Sequence, residues 1–136
     1  MRALLVVALL GLGAAALSCG DAGPSGPGPE KEPVPGWMKV RLSSANTDDG
    51  GIMFTLSGGQ IDSIRSSFSN LYTATFSPTA RRVIVAGNLT AGGVVAEVLV
   101  PDLRATASYT AAVEQVAARD THEQRPASSV ALVLER

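Results

Sequence analysis

The side chains able to do chemistry in this chain are few and scattered. It holds one cysteine, Cys19, and one histidine, His122. Cys19 stands where an apolar run meets a glycine- and proline-rich tract, so its thiol is placed for modification rather than for pairing: one cysteine cannot close an internal disulfide. His122 sits in Asp120-Thr121-His122-Glu123-Gln124-Arg125-Pro126. Acid–base work there would need a nucleophile and an orienting group within reach, and no G-x-S-x-G elbow occurs, so the expected reading is a loop histidine between two strands. A small hydrolase would need two polar groups converging with His122. Asp48 and Asp49, with Asp62 or Asp102, could offer oxygens to calcium, but that ion wants six to eight ligands from a defined loop. Asn46 to Gly51 reads instead as a turn, and no metal or other cofactor is expected. Arg81-Arg82 reads as a solvated or edge-protecting pair. Trp37, Tyr72 and Tyr109 are the aromatics that could stack on a ligand.

Composition narrows the classes further. The 136 residues include 11 basic and 12 acidic side chains. That balance excludes the basic stripe a nucleic-acid binder needs. At 46% hydrophobic the chain has material for a core, and at 4% aromatic that core must rest on aliphatic side chains.

Met1-Arg2 gives a short positive start, and Ala3 to Leu17 then carry no charge. A membrane-spanning helix needs about 20 apolar residues, so the run fits the apolar part of a secretory signal. Ala16-Leu17-Ser18-Cys19 resembles the lipobox of bacterial lipoproteins. That resemblance implies cleavage between Ser18 and Cys19, a diacylglyceryl thioether on Cys19 and a place in the bacterial cell envelope. The commonest pattern has leucine three places before the cysteine, where this chain has Ala16 followed by Leu17. Gly20, rather than an aspartate, follows Cys19, which points to the outer membrane. Two acyl chains suffice for stable anchoring, at about 0.8 kcal/mol per buried methylene.

The expected division is a signal peptide over 1–18, a lipidated cysteine and disordered tether over 19–36, and a folded domain over 37–136. Glycine and proline alternate through the tether, which favours neither helix nor strand and would reach roughly 50 Å if extended.

In the folded part the period is mostly two. Met38-Val40-Leu42, Ile52-Phe54-Leu56 and Val130-Leu132-Leu134 alternate with polar neighbours. Leu71–Phe76 and Arg82–Gly87 are rich in β-formers, and Val94–Val100 is nearly all apolar until Pro101 stops it. Tyr109–Asp120 has both helical and alternating spacing and reads as a strand, as does a short Gln60–Arg65. Seven or eight strands predict an all-β, two-sheet antiparallel sandwich, either immunoglobulin-like or of jelly-roll type. The order Gly51–Leu56, Ile61–Ile64, Arg82–Ala86, Gly92-Gly93 before Val94, then Tyr109–Asp120 is similar to that of cohesin-like sandwich domains. Membership there would imply protein–protein or surface attachment. The expected function is a non-catalytic structural or protein-interaction module held at the membrane by its lipid, with an envelope protein as partner. The alternative is a carbohydrate-binding module using Trp37, Tyr72 or Tyr109 on one face to hold a glycan.

Overall fold

Alternating apolar residues become the inner faces of strands because successive side chains point to opposite sides of a sheet. The computed structural model describes residues 31–136; Ser18, Cys19 and the tether up to residue 30 lie outside the described residues. Nine strands follow in order: β1 (Gly36–Ser44), β2 (Asp49–Ser57), β3 (Ser63–Arg65), β4 (Asn70–Ser77), β5 (Ala80–Ala86), β6 (Val94–Val100), β7 (Thr110–Ala118), β8 (Gln124–Arg125) and β9 (Val130–Glu135). They form two antiparallel sheets, ordered β3-β6-β1-β9 and β4-β5-β2-β7-β8. The protein is thus an all-β, two-sheet sandwich. The strand beyond the expected eight is β8, two residues too short to leave a pattern. Two 3-10 turns, Leu103–Ser108 and Ala127–Ser129, were not foreseen either.

The core lies between the sheets. Met38, Val40 and Leu42 of β1 and Val98 and Val100 of β6 face Ile52, Phe54 and Leu56 of β2 and Val83 and Val85 of β5, all buried. Two of the four register shifts among the described strands change the phase of the alternation within the core. One sets Val95 as an extra residue in β6, between the Val40–Ala96 and Arg41–Val94 pairs. The other sets Glu114 as an extra residue in β7, between the Met53–Gln115 and Phe54–Val113 pairs. A bulge opposes two residues to one and restarts the alternation on the other parity.

The chain approaching β1 is tied down before Gly36. The Val34 amide donates to Asp102 Oδ1 at 3.1 Å, the Leu103 amide donates to the Val34 carbonyl at 2.8 Å, and the Arg104 guanidinium donates to the Glu32 carbonyl. Asp102 also accepts from the Arg104 amide at 3.0 Å and from its guanidinium, so one carboxylate caps the 3-10 turn and holds the incoming chain. These donors hold its carboxyl far below the usual carboxylate range, the Arg104 side chain first among them. A depressed folded-state value contributes stability that is present above the ordinary value of about 3.9 and is lost as pH falls below it. Asp102→Asn is therefore expected to lower the denaturant midpoint at pH 7, with the gap to the native chain closing as pH falls below that value. A gap that stayed constant down to pH 2 would refute the assignment.

Candidate functional site

The two outer faces of the sandwich differ in chemistry. On the β3-β6-β1-β9 sheet, Trp37 is covered by the Arg65 guanidinium, 3.9 Å from its ring centroid. Arg65 Nε also donates to Glu97 at 2.7 Å, and Arg41 Nε donates to Glu135 at 3.0 Å. That face is a set of charges paired across neighbouring strands, with Val133 exposed among them.

The outer face of the β4-β5-β2-β7-β8 sheet is more apolar. Cross-strand neighbours share a face, so the Tyr72–Ile84 and Met53–Ile84 pairs continue to Gln115 in one row across four strands. Tyr72 is 63% exposed, Phe76 58% and Ile84 39%. Beside the row, Arg82 lies over the Phe76 ring at 5.1 Å and bridges to Glu114 at 3.0 Å. Glu114 also accepts from the Thr55 hydroxyl. The Thr55 bond and the Arg82 charge hold the Glu114 carboxyl below its usual value despite partial burial. The row runs into a shallow groove of about 320 Å³ floored by Gly51 and Ala117 and edged by Gln115, His122 and Gln124.

β4 inverts its own pattern. By polarity Tyr72-Ala74-Phe76 is the row to bury and Thr73-Thr75 the row to expose. The register turns the aromatic row out: Tyr72 and Ala74 pair with the outward Ile84 and Arg82, while Leu71 and Thr73 pair with the buried Val85 and Val83, and of that second row Leu71 is half-buried and the threonines stay exposed. Local rules broken in this way concentrate at functional surfaces.

The three aromatics singled out from sequence do not share a face. Tyr72 lies on the outer face just described and Trp37 on the other sheet. Tyr109 is 6% exposed and packs in the core, with its hydroxyl donating to the Gln60 carbonyl at 2.8 Å. Burial raises its phenol pKa. A single ligand cannot stack on all three.

His122 is exposed, between β7 and β8, with φ +57°. Among the described residues no carboxylate, hydroxyl or thiol lines its groove. Nor do the acidic residues considered for calcium converge. Asp102 caps the 3-10 turn, and Asp62 accepts from the Gln60 side chain at 2.7 Å. Among the described residues no cluster of three metal-ligating side chains occurs.

Asp48 and Asp49 hold an arginine. Arg125 donates to Asp49 at 3.0 Å and to Asp48 at 2.6 Å. Asp49 is 1% exposed and also accepts from the Ser44 hydroxyl at 2.5 Å and from the Asn46 side-chain amide at 3.0 Å. The arginine lowers the Asp48 carboxyl pKa, and that carboxylate in turn raises the Arg125 pKa. Asp49 is therefore a buried strand residue rather than part of an exposed turn. Of the arginine pair, Arg82 faces out as described, while Arg81 turns in and donates to the Ile61 carbonyl at 2.8 Å. No family model matches the chain, and no curated protein or solved structure matches it.

Proposed function

We propose that this chain is a lipid-anchored, non-catalytic interaction module of the bacterial cell envelope. Cys19 carries the lipid, the tether spaces the domain from the membrane, and the sandwich presents the outer face of its five-stranded sheet to a partner protein. The observation that carries the reading is the outward row of exposed Tyr72 and Ile84 with half-buried Met53, and exposed Phe76 beside it, set on strands rather than on loops. Contiguous exposed apolar side chains rimmed by polar ones are the usual make-up of a protein-binding patch. Gln115, Gln124 and the Arg82–Glu114 pair supply the polar rim.

The test replaces Tyr72 in the full chain with a photoreactive phenylalanine derivative, in cells. Position 133, 45% exposed on the other sheet's outer face, is the control. One light-dependent, protease-sensitive adduct to a protein other than this chain is expected from position 72 and none from 133; an adduct to a second copy alone would not count for it. A glycan adduct, no adduct, or the same adduct from both positions would overturn the reading of the face. The anchor is tested separately: Cys19→Ser is expected to move the protein from the membrane to the soluble fraction, and a free thiol at position 19 in the native chain would end the lipid assignment.

A further inference from the structure

The four sheet edges are not equally protected. A free strand edge offers unpaired backbone groups to any other strand, and proteins blunt it with short strands, charges or proline. β8 has two residues and is followed by Pro126; β3 has three and ends on Arg65; β9 ends on Glu135-Arg136. β4 has eight residues, six of them exposed, and among the described residues it pairs only with β5. No charged residue occurs from Ser66 to Ala80. The one blunting device is a bulge between Thr75 and Ser77, at the strand's far end.

We infer that β4 pairs antiparallel with β4 of a second copy of this chain, about a two-fold axis at Ala74. In such a pair each residue meets a residue of the same face, with Ala74 opposite Ala74. The inner face then sets Thr73 against Thr75, and the outer face brings Tyr72 beside Phe76, the extra residue of the bulge between Thr75 and Ser77. Aromatic pairs and threonine pairs are favourable cross-strand neighbours. A two-fold edge opposes a strand to itself, so a charged strand would repel its own copy; this one carries no charge. The two cations one strand back are engaged elsewhere: Arg82 is bridged to Glu114 at 3.0 Å, and Arg81 donates to the Ile61 carbonyl at 2.8 Å. The aromatic row that β4 turns outward thereby gains a partner on the strand beside it. The inference does not depend on what the outer face binds, because edge pairing leaves that face open.

An interface of one short strand from each copy is small, so the dimer is weak and concentration-dependent. Sedimentation of the detergent-solubilised full chain is expected to show reversible self-association. Ala74→Lys opposes two ammonium groups at the axis and is expected to weaken it by about tenfold or more, with the thermal midpoint little changed because Ala74 is exposed. Cys19→Ser removes the one native thiol, and Ala74→Cys in that background is expected to give a disulfide-linked dimer on mild oxidation. Thr79→Cys, in the β4–β5 turn, is expected not to. A chain monomeric across the accessible range, self-association indifferent to Ala74→Lys, or a dimer that Ala74→Cys fails to lock would each overturn the proposal. None of these results would touch photo-crosslinking from position 72 to another protein.

Discussion

Replacing Arg125 with methionine is expected to destabilise the domain by about 3 kcal/mol. The reason is the charge left behind. Asp49 is 1% exposed, and Arg125 is the only cation that bonds to it among the described residues. Breaking a buried ion pair by removing one partner costs about 3–5 kcal/mol, because the other charge stays desolvated. The lower end applies here, since the Arg125 side chain is 24% exposed and the Ser44 and Asn46 donors remain. In a domain of this size each kcal/mol shifts the thermal midpoint by roughly 4–8 °C, so the fall should be clear in a melt. In denaturant it should appear as a lower midpoint at unchanged slope. Arg41→Met is the comparison. Its pair with Glu135 is 37% and 43% exposed, and an exposed pair contributes under about 1 kcal/mol. A second check is Asp49→Asn combined with Arg125→Met, which should cost less than the sum of the single changes. Equal melts for the Arg125 and Arg41 variants would show that the buried carboxylate needs no cation.

That cluster also marks where sequence reasoning stopped. Asn46 to Gly51 has the composition of a turn, yet Asp49, Gly50 and Gly51 belong to β2. What makes Asp49 a strand residue is Arg125, seventy-six positions away and delivered across β7 by the two residues of β8. Nothing local encodes such a pairing. The strands themselves were legible because one face of each must be apolar, and alternation survives in a single sequence. It fails at bulges. From Tyr109 into β7 the buried or half-buried row runs Tyr109, Ala111, Val113 and then resumes at Val116 and Ala118. The extra residue, Glu114, turns a spacing of two into a spacing of three, and the series then imitates a helix. The same row places Tyr109 inside, so its unsuitability as a ligand platform was readable once a strand was chosen. The exposed face was least legible. β4 carries its apolar row outward, so polarity assigns Tyr72, Ala74 and Phe76 to the wrong side. Only the register with β5, for Tyr72 and Ala74, and the exposure of the bulged Phe76 reveal them as surface.

Gly58→Ala is expected to cost about 3 kcal/mol or more, for two reasons that a second glycine separates. Gly58 follows β2 with φ +124°, a conformation that costs a side-chain-bearing residue about 1–3 kcal/mol. Its α-carbon is also pressed against the chain entering β7. A β-carbon there would lie 2.0 Å from the Ser108 carbonyl oxygen and 2.9 Å from the Tyr109 α-carbon. Both are backbone atoms, so no rotamer change relieves the contact and one segment must move. Tyr109 resists that movement, because it is packed in the core and its hydroxyl is bonded to the Gln60 carbonyl just beyond Gly58. Gly92 isolates the conformational part: its φ is +76°, and a β-carbon would meet nothing within 4 Å. Gly92→Ala should therefore cost about 1–2 kcal/mol from backbone handedness alone, and the excess at Gly58 measures the close approach of the two segments. If Gly58→Ala also loosens the hold on Tyr109, that ring's near-ultraviolet dichroism should weaken in the folded variant while the Gly92 variant keeps it. Similar midpoints for the two alanine variants would show that the segments separate at little cost, and that Gly58 is there for its dihedral angle alone.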